Sequence, residues 1–390
     1  CKILFRKPFA SPMKALVSAL TVFLTLIAAS CSGGRGDNSN NDIVGDTLTA
    51  HAELLTLLDC DNYIAAIVAD PWNPGKTLAS YALVPREAES APDVPAGFQI
   101  VKVPLSRSVV DSSTNSAAIA ELGALDGVAA VSDGNYYAPD DTIAKLIAAG
   151  RIADIGSSMS PKVETLVEVS PDAILSSPYK NAGHGVIETL KIPIIECADY
   201  MEPSPLGRAE WILLLGYLYG NPEGAEAIFK NVSTDYSNLC ALASSASAPK
   251  PKVLPEMLMS GVWYVPGGKS YMARMLGDAG AEYPWADDSS TGSLQLDIAA
   301  VLDKAADADI WFMRNYGAPT LASLSETTPL YTQIKAYANG DVYNCDTSRS
   351  PFFNDIAFHP ERILSDFITL FHPELQPDAE LVYFSKVASK

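Results

Sequence analysis

Histidine and cysteine, the side chains that most often hold metals or attack substrates, are few and scattered in this chain. The four histidines, His51, His184, His359 and His372, show neither HxH nor HExxH spacing, so no zinc or manganese cluster is expected. His184, between Gly183 and Gly185, is either a ligand contact or a solvated loop residue. Past Cys31 the cysteines are Cys60, Cys197, Cys240 and Cys345, with no CxxC pair; both disulfides and buried free thiols remain open. A GxSxG elbow, a Walker A loop and a GxGxxG run are all missing, which removes the usual hydrolase, NTPase and dinucleotide signals. What recurs instead are aromatic and small polar residues in short loops. The first part of the chain has Ser112 to Asn115, Asn135-Tyr136-Tyr137, Ser157 to Ser160, Ser177-Pro178-Tyr179-Lys180 and Asp199-Tyr200-Met201. The second has Trp263-Tyr264, Tyr271, Tyr283 with Trp285, Arg314-Asn315-Tyr316 and 349–354, which opens with Arg349. Rings give much contact area at small entropic cost and suit a large, partly flat ligand, whose carboxylates or phosphates Arg314 or Arg349 would meet.

Such loops must hang from strand ends, and residues 150–218 supply them. Gly150-Arg151-Ile152-Ala153-Asp154-Ile155-Gly156 leads through a polar turn into a helical stretch at 161–169. Ser170-Pro171-Asp172-Ala173-Ile174-Leu175 follows, and later Lys191-Ile192-Pro193-Ile194-Ile195. Apolar runs of this kind, fed by helices and followed by polar loops, are βαβ units, whose ligands sit at the carboxyl ends of the strands. Upstream, 63–69 and 79–84 flank the turn Asp70-Pro71-Trp72-Asn73-Pro74-Gly75 as a hairpin. Strands follow at 100–103, 109–110 and 127–131, with helices at 117–122 and 142–149. Asn221-Pro222-Glu223 is a helix start with a cap, a first-turn proline and an acid facing the helix dipole. Ala225, Ile228, Phe229, Val232, Tyr236, Leu239 and Ala243 continue it at helical spacing as a rod of roughly 36 Å. Beyond Ala248-Pro249-Lys250-Pro251, strands are expected at 253–259, 310–313 and 341–343, a loop at 261–271, and helices at 272–279, 297–305, 330–338 and 360–371. The expected fold is α/β: two Rossmann-like lobes, 50–220 and 248–390, joined by one long rigid helix within 221–247, with a ligand cleft between the lobes. The length exceeds what one core covers.

The order of elements from Gly150 to Leu218 resembles the N-terminal lobe of the cobalamin, haem and ferric-siderophore binding proteins that feed ABC importers. The loop Trp263-Tyr264-Val265-Pro266-Gly267-Gly268-Lys269-Ser270-Tyr271 and the strand entry Ala306-Asp307-Ala308-Asp309-Ile310-Trp311 resemble the Bacteroidetes-type lipoproteins of that family. The resemblance implies a monomer that captures a corrin, porphyrin or siderophore chelate and delivers it to a permease, without catalysis. It also implies no cofactor or metal site of the protein's own, the iron or cobalt belonging to the ligand. The strand-end loops themselves place ligand contacts at Ser113, Thr114, Tyr136, Tyr137, Tyr179, Trp263, Tyr264, Tyr271, Arg314 and Arg349. Glu164, eight positions before Asp172 of the Pro-Asp turn, takes the place of the glutamate that pairs with permease arginines. The second lobe has Ala299 where the family has Glu, with Asp297 as the substitute. Two other classes stay open: an enzyme acting on a tetrapyrrole or metal chelate in an inter-lobe cleft, and a surface lipoprotein binding module without a transporter.

The N-terminus adds an address. Lys2, Arg6, Lys7 and Lys14 precede an almost uncharged apolar run from Ala15 to Ser30, then Cys31. This reads as a signal peptide over 1–30, with Met13 an alternative start, and Cys31 as the lipidated first residue of the mature chain. Residues 31–49, beginning Ser32-Gly33-Gly34-Arg35-Gly36-Asp37, are a flexible polar linker. The protein is then anchored by lipid in the cell envelope or periplasm. The full chain has a net charge of −19, and removing residues 1–30 takes away four basic and no acidic residues, leaving −23. That charge argues against nucleic acid as a partner.

Overall fold

The computed structural model describes residues 43–90, 92–137 and 141–390. The expected signal peptide and Cys31 lie outside the described residues, as does most of the linker, and the side chain of Tyr136 is likewise not described. The chain first builds a sheet from β1 (Asp46–Thr47), β2 (Leu55–Asp59), β3 (Ile64–Ala69), β4 (Thr77–Pro85) and β5 (Gln99–Val103), in that order. The pairings are antiparallel except for β4 with β5. The expected hairpin is β3–β4. Its turn is shaped by Asp70, whose Oδ1 accepts from the amides of Trp72 at 2.9 Å and Asn73 at 3.0 Å.

A second sheet carries the βαβ units. β6 (Ser108–Val110), α1 (Ser113–Glu121), β7 (Val128–Val131), α2 (Thr142–Ala148) and β8 (Ala153–Asp154) are followed by a small hairpin, β9 (Gly156–Ser157) and β10 (Ser160–Pro161). Then come α3 (Val163–Val169), β11 (Ala173–Ser176) and β12 (Ile194–Glu196). The sheet order is β12-β11-β6-β7-β8, all parallel. Every residue of β6 and β11 is buried, as expected of a parallel sheet covered on both faces. Tyr81 of β4 ties the two sheets together: its hydroxyl donates to Ile194 O at 2.8 Å and accepts from Glu196 N at 2.9 Å.

α4 (Pro205–Ala209) and α5 (Ile212–Tyr219) lead to α6 (Pro222–Ser244), capped as expected by the Asn221 side chain, which accepts from Gly224 N at 3.1 Å. Its buried residues Ala225, Val232, Tyr236 and Ala243 lie against α5 behind it and α12 (Pro360–Phe371) far ahead of it.

The second half contains β13 (Val253–Pro255), β14 (Leu258–Met259), β15 (Val262–Pro266), α7 (Tyr271–Asp278), β16 (Ser293–Leu296), α8 (Ile298–Ala305) and β17 (Ile310–Asn315). α9 (Leu321–Thr327), α10 (Lys335–Asn339), β18 (Val342–Asp346), α11 (Phe352–Asp355) and β19 (Ser385–Lys386) complete it. The strand expected at 253–259 is broken. Glu256 adopts φ +67° in the left-handed region, so β13 stays in the sheet β13-β17-β18-β19 while β14 turns away to pair with β15. The loop expected at 261–271 is half strand, because Trp263 and Val265 alternate inward and β15 pairs with β16. The helix expected at 330–338 divides at Ile334, whose extended backbone separates a 3₁₀ turn, Pro329–Gln333, from α10.

Each half has its own core. Leu57, Val110, Ile119, Leu175 and Trp211 belong to one; Trp263, Trp311, Phe312, Tyr331 and Phe367 to the other. Ala357 and Phe358, carried by the second half, are buried in the first core. The four described cysteines are unpaired, Cys197 and Cys345 being buried.

Candidate functional site

The carboxyl ends of the strands in both halves converge. Thr114, in the first turn of α1, donates from Oγ1 to Phe353 O at 2.8 Å, joining the loop after β6 to the segment after β18. Ser113 lies beside it, partly buried at the helix start. On the first half, Tyr179 is 53 % exposed, with its ring 6.4 Å from that of Tyr200. Tyr200 donates to Pro178 O at 2.5 Å, and burial raises its hydroxyl pKa to about 12. Tyr137 donates to Ser116 Oγ at 3.1 Å and is also pushed by burial to about 12, so it braces α1 more than it faces solvent.

On the second half, Tyr271 begins α7 behind the Ser270 cap, and the Arg208 guanidinium of the first half lies 4.7 Å from its ring centroid. Arg208 is itself buried and donates from Nε to Asp199 Oδ2 at 3.0 Å. Arg314, at the end of β17, donates from Nε to Glu256 Oε1 at 2.7 Å and stacks near Phe352 and Phe353, at 5.3 and 5.8 Å. Burial by itself would lower the pKa of each guanidinium, but Tyr271 and Asp199 beside Arg208, and Glu256 beside Arg314, hold both raised. The left-handed Glu256 is therefore fixed by the same ion pair that orients Arg314. Tyr264, on β15, is 38 % exposed.

Two expected contacts are placed elsewhere. Trp263 has no exposed surface: its ring packs against Trp311 and Tyr331, and its Nε1 donates to Pro255 O at 2.9 Å. The strand period turned it into the core while leaving its neighbour Tyr264 outside. Arg349 is 88 % exposed along its side chain, 3.9 Å from Asp346, and is not brought to Arg314. For docking, Glu164 is exposed in the first turn of α3. Asp297 caps α8, accepting from Ala300 N at 2.8 Å, beside an exposed Ala299.

Asp111 and Glu196 at the strand ends are not among the expected contacts, whereas His184 is expected either as a ligand contact or as a solvated loop residue. Asp111 follows β6 and accepts from Ser132 Oγ at 2.6 Å. Burial raises its pKa, and hydrogen bonds from Ser132 and Ser176 oppose the rise. His184 is neither solvated nor free: its side chain is 15 % exposed and Nε2 lies 2.8 Å from Glu196 Oε1, a contact that raises its pKa. The available signal was a single charged residue closing each apolar run, Asp111 after Val109-Val110 and Glu196 after Ile194-Ile195. Among the described residues no group of three or more His, Cys, Asp or Glu is arranged to hold a metal ion. A groove of about 490 Å³ between α6, α12 and the segment around Tyr383 is lined by none of the expected site residues.

Two α/β halves with parallel sheets whose strand ends face one another have the fold of the two-lobed binding proteins. The chain belongs to the Periplasmic binding protein family, which it matches over residues 109–348. It is 28 % identical over 302 residues to the uncharacterized lipoprotein MJ0878 of Methanocaldococcus jannaschii, covering 74 % of this chain and 70 % of that one. Among solved structures, it is similar to a periplasmic haem binding protein from Pseudomonas aeruginosa (TM-score 0.56, 16 % identity, 73 % of this chain and 99 % of that one). It is likewise similar to an ABC-type Fe³⁺-hydroxamate transport system from Saccharomonospora viridis (TM-score 0.52, 16 % identity, 69 % and 94 %). At such identities the structures speak for the fold.

Proposed function

We propose that this protein captures a cobalamin, haem or ferric-siderophore chelate in the cell envelope and hands it to the permease of an ABC importer. In this reading 50–220 and 248–390 are the lobes, α6 within 221–247 is the rigid joint, and a lipid on Cys31 tethers the chain. Support for an envelope site comes from the family and from a relative named as a lipoprotein. No helix among the described residues is long and apolar enough to cross a membrane.

The observation that carries the reading is where the exposed apolar side chains lie. Of the exposed large apolar side chains, Met159, Tyr179 and Val186 on the first half and Met259, Tyr316 and Phe353 on the second sit on segments leaving the carboxyl ends of strands, and Tyr264 faces out from β15; Ile100, Val167, Leu330 and Val382 are exposed elsewhere. Large apolar groups kept open to water at one edge of both sheets are the surface a flat chelate would cover. Ser113, Thr114, Tyr271 and Arg314 would line the floor. Glu164 would meet permease arginines, with Asp297 as a weaker counterpart. The protein acts as a monomer and holds no cofactor of its own.

Mass spectrometry and an absorption spectrum of material co-purifying with the native protein test the assignment, followed by a thermal-shift screen. A bound chelate at a hundredfold excess over its Kd stabilises the fold by about 2.7 kcal/mol. Tyr179→Ser with Phe353→Ser is expected to weaken binding at least tenfold while leaving the unligated Tm unchanged. A large response to Zn²⁺ with none to any chelate, or turnover of a bound chelate, overturns the reading.

A further inference from the structure

The carboxyl edge of the first parallel sheet holds a compact polar group of which the sequence singles out only His184 and, in the loop after β6, Asn115. Asp111 and Ser132 directly follow β6 and β7, and Ser176 and Glu196 end β11 and β12, so neighbouring strands deliver them side by side. His184 reaches in from the loop after β11 to Glu196, and Asn115 comes from α1 to lie beside Cys197.

Two features of this group point to a missing partner. Asn115 is 3 % exposed, yet its Nδ2 has no oxygen or nitrogen acceptor and stands only beside the Cys197 thiol, and Glu196 Oε2 is buried and accepts nothing. An unpaired donor and an unpaired carboxylate oxygen in one buried cluster are costly to leave and call for a ligand bearing both a carbonyl and an N–H or ammonium. The charge balance says the same. Here His184 faces Glu196, Glu188 and Asp111, and Asp111 in turn lies near Asp133, one residue past Ser132. The cations elsewhere in the cleft are already matched, Arg208 by Asp199 and Arg314 by Glu256, while Lys180 stands on the rim in solvent. A polyanion entering this cleft would find its buried guanidiniums neutralised and a surplus of carboxylate at the sheet edge.

Taking the capture of a metal chelate as given, we infer that Asp111, Asn115, Ser132, Ser176, His184 and Glu196 form a subsite for the carbonyl- and amine-bearing part of the ligand. The protein therefore selects neutral or cationic hydroxamate chelates over polyanionic catecholates. Asn115 gives its free N–H to a hydroxamate or amide carbonyl, and Glu196 and Asp111 take an ammonium or N–H. The apolar rim covers the remainder.

The test is fluorescence titration of the full mature chain with three ferric chelates that differ in charge: ferrioxamine B with its pendant ammonium, neutral ferrichrome and triply anionic ferric enterobactin. Both hydroxamates are expected to bind at least tenfold more tightly than the catecholate. Glu196→Gln is expected to weaken ferrioxamine B about tenfold and ferrichrome less, with the unligated Tm unchanged; Asp111→Asn serves as a second variant should the first disturb folding. Binding of ferric enterobactin or haem as tight as that of either hydroxamate, or variants that lower all three affinities equally, overturns the subsite and leaves capture standing. Failure of every chelate, haem and cobalamin included, overturns both.

Discussion

Replacing His359 with glutamine is expected to remove a pH-dependent bond between the two halves. The His359 side chain is 8 % exposed; Nε2 lies 2.7 Å from Glu121 Oε2 on α1, and Nδ1 lies 3.1 Å from Glu361 Oε1 on α12. Arg362 and Asp355 stand close by, paired with each other at 3.2 Å. Burial on its own would lower the imidazolium pKa, but the hydrogen bonds to Glu121 and Glu361 outweigh it and raise the value from 6.5 to about 9. Glu121 is correspondingly lowered from 4.5, chiefly by its bond to His359.

The sign follows from linkage. A raised folded-state pKa gives stability that is complete below 6.5 and lost as pH climbs through about 9; the lowered Glu121 gives stability that is complete above 4.5 and lost as pH falls. The interval from 6.5 to 9 corresponds to about 3 kcal/mol. Glu121 is 38 % exposed, and solvent screening reduces this to roughly 1–2 kcal/mol. Urea unfolding of the full mature chain at pH 6, 7.5 and 9 reads it directly. Between pH 6 and pH 9 the wild type should lose roughly 1–2 kcal/mol more than His359→Gln does. Parallel curves, or equal stability at pH 6, would refute the argument that a charged His359 holds α1 to α12.

Trp263→Ala is expected to cost about 3–5 kcal/mol by emptying the space between Trp311 and Tyr331, and to weaken every ligand only through that loss, as paired unfolding and titration would show. Glu210, 1 % exposed, accepts from the amides of Ala50, His51 and Ala52 at 2.8–2.9 Å; Glu210→Gln is expected to cost about 1.5–3 kcal/mol and to speed proteolysis near residue 50. Glu164→Ala is expected to leave Tm and ligand affinity unchanged, since an exposed carboxylate contributes about 0–1 kcal/mol, yet to weaken salt-sensitive association with the reconstituted permease. Ala299→Glu should strengthen that association.

The parallel sheet and α6 were legible because their signals are local. An apolar run such as Ala173–Ser176 is buried on both faces and reads as a strand without its partners, and Asn221-Pro222-Glu223 announces a helix in three residues. β2 and β15 were missed for the opposite reason. Leu55–Asp59 mixes polar and apolar residues and exists because it pairs with β1 and β3. Val262–Pro266, beside Pro266-Gly267-Gly268, is held by β16 some thirty residues on. From sequence alone an aromatic next to glycines suggests an open loop and makes Trp263 an expected ligand contact; once β15 is a strand, alternation alone sends Trp263 inward and Tyr264 outward.

The site divides along the same line. Exposed aromatics such as Tyr179 and Tyr316 follow from strand ends and could be found by locating those ends. The charges could not, because what matters is which of them are already matched, and the partners lie far apart in sequence: Ser132 is 21 residues from Asp111, and Arg314 is 58 from Glu256. In the sequence Arg314 is a free cation inviting a carboxylate. In the fold Glu256, turned into the left-handed region where β13 ends, has taken that place. Strand periodicity therefore told which loops leave the strand ends, while the pairing of the charges among them was set by a backbone turn and long-range ion pairs that no local pattern encodes. The net charge of −23 beyond residue 30 points the same way as the paired guanidiniums, since a long-range field that repels polyanions leaves neutral and cationic chelates the easier approach.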